Sequence, residues 1–293
     1  MDNPALITSL TLPAPAKLNL FLHVVGRRPD GYHLLQTVFQ LLDFGDELSF
    51  SPREDSQILI HTDMVGVPQQ DNLVFRAARL LQQHADITVG ADITLIKRLP
   101  AGGGLGGGSS DAATTLLGLS VLWQLSIGLD ELAELALQLG ADVPVFVRGH
   151  SSWAGGIGEV LQSIDLPEQW FVVLTPPCSI NTASIFQSEE LTRNTSPITI
   201  AAFLLAGGHN DCQPVVEKRY PVVKQAIDWL SQFSPCRMTG TGASVFAAFS
   251  SETEAREVLA QRPDDVTGFV AKGVNVSPTH CILERDYWGI AKR

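Results

Sequence analysis

Residues 101–111 read Ala-Gly-Gly-Gly-Leu-Gly-Gly-Gly-Ser-Ser-Asp, and six of the seven residues from Gly102 to Gly108 are glycine. Glycine lets the backbone approach a ligand closely, and successive backbone N–H groups of such a loop can point at one anion. A flexible linker is the alternative, but linkers are rarely bounded so tightly by apolar segments. The stretch therefore predicts a cradle for a polyphosphate.

The sequence on either side of residues 100–110, which we call the glycine loop, predicts a strand that enters it and a helix that leaves it. Asp92–Leu99 is typical of a strand, and Ser110–Leu122 predicts a helix with Ser109 or Ser110 as its cap. A helix N-terminus carries partial positive charge, which favours a bound phosphate group. The flanking elements thus support the same interpretation as the glycines.

Other phosphate-binding loops fit the glycine loop less well. A Walker A loop needs Gly-Lys-Ser/Thr, and no lysine lies inside or just after residues 100–110. The dinucleotide fingerprint matches formally at Gly102-x-Gly104-x-x-Gly107, but so many glycines make that match nearly automatic, and Asp130, about 20 positions on, predicts a helix cap. The His-Arg-Asp and Asp-Phe-Gly of protein kinases do not follow downstream. An NAD-binding oxidoreductase and a non-enzymatic nucleotide-binding module stay open as alternatives.

Composition and charge restrict the partners of the protein. The 293 residues are 45% hydrophobic and 17% charged, a globular balance that suggests about two domains at roughly 150 residues each. The net charge of −11, from 20 Lys and Arg against 31 Asp and Glu, disfavours a broad surface for nucleic acid or anionic membranes. We therefore expect small-molecule substrates, no nucleic acid and no membrane as partners.

The sequence also favours a cytoplasmic location. No Lys or Arg precedes Lys17, and Pro4 interrupts the segment early, which disfavours a secretory signal. The uncharged run Ala112–Leu129 contains polar residues and glycines, so it predicts a buried helix plus loop rather than a membrane span. The four cysteines are scattered without CxxC or Cys/His ligand spacing, and we expect reduced thiols.

Hydrophobic periodicity predicts mixed strands and helices along the chain. Lys17–Val25 alternates with period 2 and predicts a strand with an aliphatic core face and a largely polar face. Further strands are predicted at Leu34–Leu42, Glu47–Ser51, Trp170–Leu174, Ser244–Phe249 and Gly268–Ala271. Further helices are predicted at Asp71–His84, Asp130–Leu139, Pro221–Gln232 and Glu252–Gln261. Without a regular βαβ period, this favours an α+β fold, with a domain boundary near residues 155–158.

Three other segments carry polar residues of interest. Lys17 and Asn19 share the polar face of the first strand, and Asp142 lies between a helix stop and an apolar run. Residues 239–244 read Thr-Gly-Thr-Gly-Ala-Ser. Taken singly, Lys17 predicts a solvated charge, Asp142 a turn or cap aspartate, and residues 239–244 a tight turn.

Taken together, these segments resemble the GHMP kinase superfamily, which includes galactokinase and homoserine, mevalonate and phosphomevalonate kinases. The resemblance covers nearly the whole chain and is strongest to the branch whose acceptor is a cytidine-diphosphate-linked methylerythritol. The Gly-Glu-His that follows the first motif in mevalonate kinases and galactokinases is absent. The motifs are Pro15-Ala-Lys-Leu-Asn-Leu-Phe-Leu22, Arg28-Pro-Asp-Gly-Tyr-His33, the glycine loop, Gly140-Ala-Asp-Val-Pro-Val-Phe146 and Met238-Thr-Gly-Thr-Gly-Ala-Ser244.

The resemblance implies a two-domain α+β GHMP kinase fold. An N-terminal domain like ribosomal protein S5 domain 2, over residues 1–156, would hold ATP, and a ferredoxin-like C-terminal domain, over residues 157–293, would hold the substrate. The implied reaction is phosphoryl transfer from ATP to the 2-hydroxyl of the methylerythritol unit, in non-mevalonate isoprenoid precursor synthesis. Another small-molecule kinase activity of the GHMP superfamily stays open as an alternative. ATP and Mg²⁺ are the implied cofactors, with no dedicated protein cage and the metal near Ser109 or Ser110.

The resemblance also implies a role for particular residues. Asp142 would take the proton from the acceptor hydroxyl, and Lys17 would contact both groups. ATP would be bound by Asn72, Lys97, Pro100, Ala101, Gly102, Gly103, Gly104, Leu105, Gly106, Gly107, Gly108, Ser109 and Ser110. The cytidine-diphosphate pocket would consist of Asn19, Tyr32, His33, Thr182 and Phe186, with aromatic rings stacked on cytosine. The chain departs from relatives of this branch at Pro177 and Asn181, which stand where those carry Gly and Pro.

Overall fold

The computed structural model describes residues 7–62 and 68–288. Within these ranges the strands are β1 (Leu10–Arg27), β2 (His33–Arg53), β3 (Ile58–Thr62), β4 (Gly90–Ile96), β5 (Ser152–Gly155), β6 (Val160–Ser163), β7 (Trp170–Thr175), β8 (Cys236–Met238), β9 (Val245–Phe249) and β10 (Thr267–Val274). The α-helices are α1 (Leu73–His84), α2 (Gly107–Leu122), α3 (Leu129–Leu137), α4 (Val143–Arg148), α5 (Thr182–Phe186), α6 (Ile200–Ala206), α7 (Gln213–Arg219), α8 (Pro221–Leu230), α9 (Glu252–Ala260) and α10 (Pro278–Leu283).

The strands form a ten-stranded sheet that runs through both halves of the chain. Its order is β3-β4-β2-β10-β7-β9-β8, with β1 and β5 also paired to β2, and β6 paired to β5. Strand β10 joins the halves, because it pairs with β2 at one end and with β7 along its length. The neighbours are antiparallel except β3 with β4. The α+β prediction is confirmed, whereas the dinucleotide alternative would need a parallel βαβ sheet.

The two longest strands differ from what the periodicity predicts. Strand β1 extends well beyond Lys17–Val25, and the predicted strands Leu34–Leu42 and Glu47–Ser51 are one strand of 21 residues. Both faces of β1 are covered, and Lys17, Asn19, Phe21 and His23 are each at most 3% exposed. The prediction of a solvated Lys17 is therefore wrong. A period of 2 reports polarity, and only the long-range packing decides which faces are covered.

Two hydrophobic clusters hold the halves of the molecule, and β1 contributes to both. Leu10, Leu12 and Ala14 pack in the first cluster with α1, α2 and β4, and Leu22 and Val24 pack in the second with α7, α8 and β9. Helix α2 is buried on nearly every side, as the uncharged run predicts. Within residues 7–62 and 68–288, no helix is long and apolar enough to cross a membrane.

The predicted helix caps need correction. Helix α2 begins at Gly107 with Gly106 as its N-cap, so Ser109 and Ser110 lie inside its first turn. Helix α3 begins at Leu129 with Gly128 as its N-cap, so Asp130 lies in the first turn rather than at the cap. Ser and Asp are favoured at helix N-caps because their side chains can accept a hydrogen bond from a backbone N–H. Here glycine takes both positions, and at Gly106 a φ of 73° explains the choice.

The other predicted elements occur within a few residues of the expected bounds. The sequence patterns do not predict α4, α5, α6, α7, α10, β3, β5, β6 and β8, which are three to seven residues long. A segment of that length spans two turns of helix or fewer, so hydrophobic periodicity has too few repeats to show.

Candidate active site

Two cavities lie on opposite sides of the glycine loop. The first has a volume of about 840 Å³ and the second about 360 Å³. Gly104, Gly106 and Ser109 line both of them. The glycine loop is thus a shared wall, so a ligand in one cavity lies close to a ligand in the other.

The second cavity collects nearly all the residues predicted to bind ATP. It is lined by Asn72 and Lys97 and by every residue from Pro100 to Ser109. Ser110 differs, because its side chain is fully buried within α2. Asn72 also caps α1, since its side chain accepts a hydrogen bond from the backbone N–H of Val74 at 2.9 Å.

The glycine loop is held in place by residues 239–244. The N–H of Ser244 donates to the carbonyl of Gly103 at 3.1 Å, and the hydroxyl of Thr239 donates to the carbonyl of Gly104 at 3.3 Å. A side chain on Gly104 would place its Cβ 2.5 Å from the carbonyl oxygen of Thr239. Residues 239–244 do form a turn, as predicted, and that turn fixes the path of the glycine loop.

A buried charge cluster lies below the second cavity. The ammonium of Lys97 bonds to the carboxylate of Asp46 and, at 2.8 Å, to that of Asp111. Asp46 also accepts the backbone N–H groups of Arg98 and Leu99 at 2.6 and 2.8 Å, where the chain enters the glycine loop. The cluster therefore fixes the start of the loop as well as the lysine.

The ionisation of this cluster reflects its burial. Burial raises the pKa of Asp111 to about 7; Lys97 opposes the shift and the carboxylate of Asp46 adds to it. Burial alone would lower the pKa of Lys97, but the carboxylates of Asp111 and Asp46 outweigh it and raise that pKa. The lysine therefore stays charged, and protonation of Asp111 relieves the excess of carboxylates around it.

The first cavity contains the predicted catalytic pair, although the two residues are far apart in sequence. The ammonium nitrogen of Lys17 lies 3.2 Å from Oδ2 of Asp142. Asp142 occupies the N-cap position of α4, but its carboxylate turns to Lys17 instead of capping the helix. Its side chain is 37% exposed, whereas that of Lys17 is 3% exposed. A buried cation thus holds a carboxylate that faces the cavity.

The ammonium of Lys17 is held by further contacts. It donates to Oδ1 of Asn19 at 2.5 Å, and Asn19 in turn donates to the hydroxyl of Thr37 at 2.9 Å. The side chain passes against Gly106, where an added Cβ would lie 3.1 Å from Cε of Lys17. Gly106 thus leaves room for the lysine at the wall between the cavities. Asn19, predicted as a substrate contact, lines the first cavity and also orients Lys17.

The other residues predicted to bind the acceptor also line the first cavity. His33 and Phe186 stack with ring centroids 5.1 Å apart, and Tyr32 is 62% exposed. Thr182 exchanges a hydroxyl hydrogen bond with Thr241 at 2.9 Å. Asn181 caps α5 by accepting a hydrogen bond from the N–H of Ser184. This cap starts the helix that carries Thr182 and Phe186.

The sequence analysis did not single out Asp46, Asp111 or Arg193, whose side chain bonds to His33. Asp111 ends the quoted glycine segment and could have been noticed there. Asp46 sits in the interior of β2, where the pattern had predicted a break between two strands. Arg193 lies outside every motif, in the segment between α5 and α6. Its contact with His33, 160 residues away, depends on long-range packing.

A metal ion would find oxygen ligands rather than a cage at this site. The described ranges contain no group of three or more His, Cys, Asp or Glu side chains that could hold a metal. Ser109 lines both cavities, and Asp111 lines the second. Oδ1 of Asp111 and Oγ of Ser110 have no hydrogen-bond partner in the described part of the chain. Hydroxyl and carboxylate oxygens together with nucleotide phosphates are the ligands that suit Mg²⁺.

The family follows from two matches, one in each half of the chain. Residues 72–150 match the N-terminal domain of GHMP kinases, and residues 188–265 match the GHMP kinase C-terminal domain. The chain belongs to the GHMP kinase family. Kinases of this family transfer a phosphoryl group from ATP to a small molecule, so ATP is a substrate of this protein.

Relatives within the GHMP kinase family match nearly the full length of the chain. A 4-diphosphocytidyl-2-C-methyl-D-erythritol kinase of Pseudomonas entomophila (strain L48) is 58% identical over 275 residues, which cover 94% of this chain and 96% of that protein. An enzyme of the same name from Ectopseudomonas mendocina (strain ymp) is 56% identical over 275 residues, with 94% of each chain covered.

Solved structures of GHMP kinases share the fold. A crystal structure of 4-(cytidine 5'-diphospho)-2C-methyl-D-erythritol kinase is similar with a TM-score of 0.81 and 30% identity, covering 91% of this chain and all of that one. The mevalonate kinase of L. major, solved with R-mevalonate, has a TM-score of 0.63 at 13% identity, covering 94% of this chain and 100% of that one. The second likeness concerns the fold alone.

Proposed function

We propose that this GHMP kinase transfers the γ-phosphoryl group of ATP to the 2-hydroxyl of 4-diphosphocytidyl-2-C-methyl-D-erythritol, a step in isoprenoid precursor biosynthesis. The observation that carries the proposal is the placement of the Lys17–Asp142 pair in the first cavity, against the glycine loop that separates it from the second. The names of relatives at 55–58% identity support the choice of acceptor.

In this proposal the second cavity holds the nucleotide, and the glycine loop surrounds its phosphates. Backbone N–H groups of the loop and the N-terminus of α2 then face the negative charge. Ser109 and Asp111 would hold a Mg²⁺ ion against the phosphates, and the ion would neutralise part of their charge. Lys97 lines the same cavity. However, its charge is already shared between two carboxylates, so we assign it to holding the site together.

Transfer then takes place at the wall shared by the two cavities. Asp142 accepts a hydrogen bond from the acceptor hydroxyl, orients its oxygen towards the γ-phosphorus, and takes the proton as the new P–O bond forms and the bond to ADP breaks. Phosphoryl transfer asks for little covalent chemistry, so positioning and charge stabilisation dominate. Lys17 supplies the positive charge beside the oxygen that becomes negative.

The far end of the first cavity would hold the cytidine diphosphate. Arg27 lines this region together with Tyr32 and His33, and it offers a cation for the acceptor's diphosphate. Phe186 and Tyr32 supply aromatic faces for the cytosine ring. Because His33 already covers one face of the Phe186 ring, the base would use the other face or the His33–Phe186 edge.

The same proposal includes two domains and a cytoplasmic location. We divide the chain into residues 1–156 and 157–293, although β1 packs in both hydrophobic clusters and Leu283 of α10 returns to the first. We also place the protein in the cytoplasm, where ATP is made available to biosynthetic kinases.

The experiment that tests the function measures ADP release with a panel of acceptors. We expect turnover with 4-diphosphocytidyl-2-C-methyl-D-erythritol and background rates with homoserine, mevalonate and galactose. Thermal shifts with ATP and with NADH serve as a binding control, and only ATP should stabilise the protein. Turnover of another acceptor at a higher rate, or stabilisation by NADH alone, would contradict the proposal.

A further inference from the structure

Arg193 links Phe186 and His33, whose rings stack in the first cavity. Its NH2 donates to the carbonyls of Phe186 and Ser188 at 3.0 and 2.6 Å, and its NH1 donates to the carbonyl of Leu191 at 3.2 Å. Its Nε lies 3.1 Å from Nε2 of His33. One guanidinium therefore ties the segment that follows α5 to the first residue of β2.

The hydrogen bond to His33 settles where the proton of the imidazole lies. A guanidinium has five N–H donors and no acceptor, and it stays protonated in proteins. Nε2 of His33 must therefore be the acceptor in this bond. A neutral imidazole with Nε2 as acceptor carries its proton on Nδ1.

The surroundings of His33 also keep the ring neutral. Burial lowers the pKa of His33, and the charges of Arg193 and Arg27 lower it further. Arg27 approaches from β1, Arg193 from the segment after α5, and Phe186 of α5 stacks on the ring. Asp30 lines the same cavity from the turn between β1 and β2. A second cation beside Arg193 is thus disfavoured, which leaves the Nδ1–H tautomer.

We propose that Arg193 is a positioning residue that fixes the tautomer and orientation of His33, so that its Nδ1–H is presented as a donor to the pyrimidine base of the acceptor. The inference rests on the proposed function, since it assumes that a cytidine occupies the first cavity. Cytosine and uracil both offer O2 as an acceptor, but N3 accepts a hydrogen bond in cytosine and carries a hydrogen in uracil. An N–H donor of His33 fixed opposite N3 therefore favours cytosine, whereas the opposite tautomer would offer an acceptor there.

The chain contains a matched control for Arg193. Arg219 donates to the carbonyl of Ser184 at 3.2 Å and to the hydroxyl of Ser188 at 2.5 Å. It therefore anchors the same segment without bonding to His33. If Arg193 acted only by holding that segment, Arg219→Met would reproduce the effects of Arg193→Met.

The first measurement uses the free protein and needs no substrate. Nitrogen-15 NMR of the histidine rings, with His33 assigned by the loss of its signals in His33→Asn, reports which ring nitrogen carries the proton at neutral pH. We expect Nδ1 protonated in the unmodified protein and in Arg219→Met, and a shift towards Nε2 protonation in Arg193→Met. Protonation of Nε2 in the unmodified protein would overturn the inference, whatever the substrate.

The second measurement separates the two substrates. Arg193→Met should raise KM for the acceptor, and Kd for cytidine 5'-diphosphate measured by calorimetry, by about 3- to 10-fold, the range expected for one lost neutral hydrogen bond. KM for ATP should stay unchanged, and Arg193→Lys should restore part of the loss. The advantage of cytidine over uridine 5'-diphosphate should also narrow. Equal effects of Arg193→Met and Arg219→Met, or equal changes in both KM values, would refute the inference, whereas inactivity of the unmodified protein would refute only the proposed function.

Discussion

The two lysines of the site, Lys17 and Lys97, line different cavities beside the glycine loop and have different surroundings. Lys97 is shared between Asp46 and Asp111, whose side chains are 0% and 4% exposed. Lys17 faces the single carboxylate of Asp142, which is 37% exposed, and the side-chain amide oxygen of Asn19. One ammonium neutralises buried acids, and the other has a partner that faces the cavity.

The difference shows how the same residue type serves stability on one side and chemistry on the other. Two buried carboxylates absorb the charge of Lys97, so little of it reaches a ligand. The charge of Lys17 is balanced by a group that a substrate hydroxyl can approach, so charge that develops during transfer meets an ammonium already in place. The four predictions below test this division, from the largest expected effect to the smallest.

The largest effect should follow from changing the carboxylate beside Lys17. Asp142→Asn should reduce turnover by about 10²–10⁴-fold, the usual contribution of a positioned general base, while both substrates still bind. The Lys17→Met/Asp142→Asn double variant should lose much less than the product of the single losses, because the two residues act as a unit. Steady-state kinetics with ATP and acceptor checks both. Near-normal turnover of Asp142→Asn, or fully multiplicative losses in the double variant, would contradict the prediction that Lys17 and Asp142 act as a catalytic pair.

The next largest effect concerns stability rather than rate. Lys97→Met leaves Asp46 and Asp111 buried without their cation and should lower the free energy of unfolding by about 3–5 kcal/mol. Lys17→Met is the matched control, because its partner is partly solvated, and it should cost about 1 kcal/mol or less. Urea denaturation followed by circular dichroism measures both. If the two losses are equal, the division between the lysines is wrong.

A third prediction compares the cavities through one substitution in each. A Cβ at Gly108 would make only ordinary contact with Leu73, 3.5 Å away, and Gly108 lines the second cavity alone. Gly108→Val should therefore raise KM for ATP by about tenfold and leave KM for the acceptor nearly unchanged. Phe186→Ala should do the reverse, raising KM for the acceptor by about 5- to 100-fold through lost stacking.

Parallel changes in both KM values for either variant would contradict separate cavities. Gly106→Val is a poorer test of ATP binding, because its Cβ would meet Phe146 at 2.9 Å and Lys17 at 3.1 Å. Gly106→Val would therefore disturb Lys17 as well as the glycine loop.

The last effect, the smallest when taken per pH unit at about 1.4 kcal/mol or less, is a change in pH dependence. The pKa of Asp111, about 7 when folded, exceeds its ordinary value of 3.8, so the folded protein binds this proton more tightly than the unfolded chain. Asp111 therefore lowers the free energy of unfolding as pH rises from about 4 to about 7, and its contribution changes little above pH 7. Asp111→Asn should remove this contribution, so its stability relative to the unmodified protein should increase across that window. Urea denaturation at several pH values measures it, and a constant difference would contradict a titrating Asp111.

Most of the fold and family were predictable from the sequence because their signals are local. The glycine loop, the helix α2 that follows it and the first strand show in composition and periodicity over about ten residues each. The motifs that carry the family resemblance are contiguous as well. Short elements and the caps of α2 and α3 were missed or misplaced, because three to seven residues carry too little pattern and glycine can replace a polar cap.

By itself the sequence determined the residue types of the site and the α+β class, and it predicted that residues 100–110 bind phosphate. The family resemblance also implied that Lys17 would contact Asp142, but only the tertiary structure decided that Lys17 is buried and that Arg193 reaches His33 from 160 residues away. The physical reason is that burial and pairing of charges depend on which elements cover each other. Residues from distant parts of the chain cover the polar face of strand β1. That packing buries Lys17, which pattern alone would place in solvent.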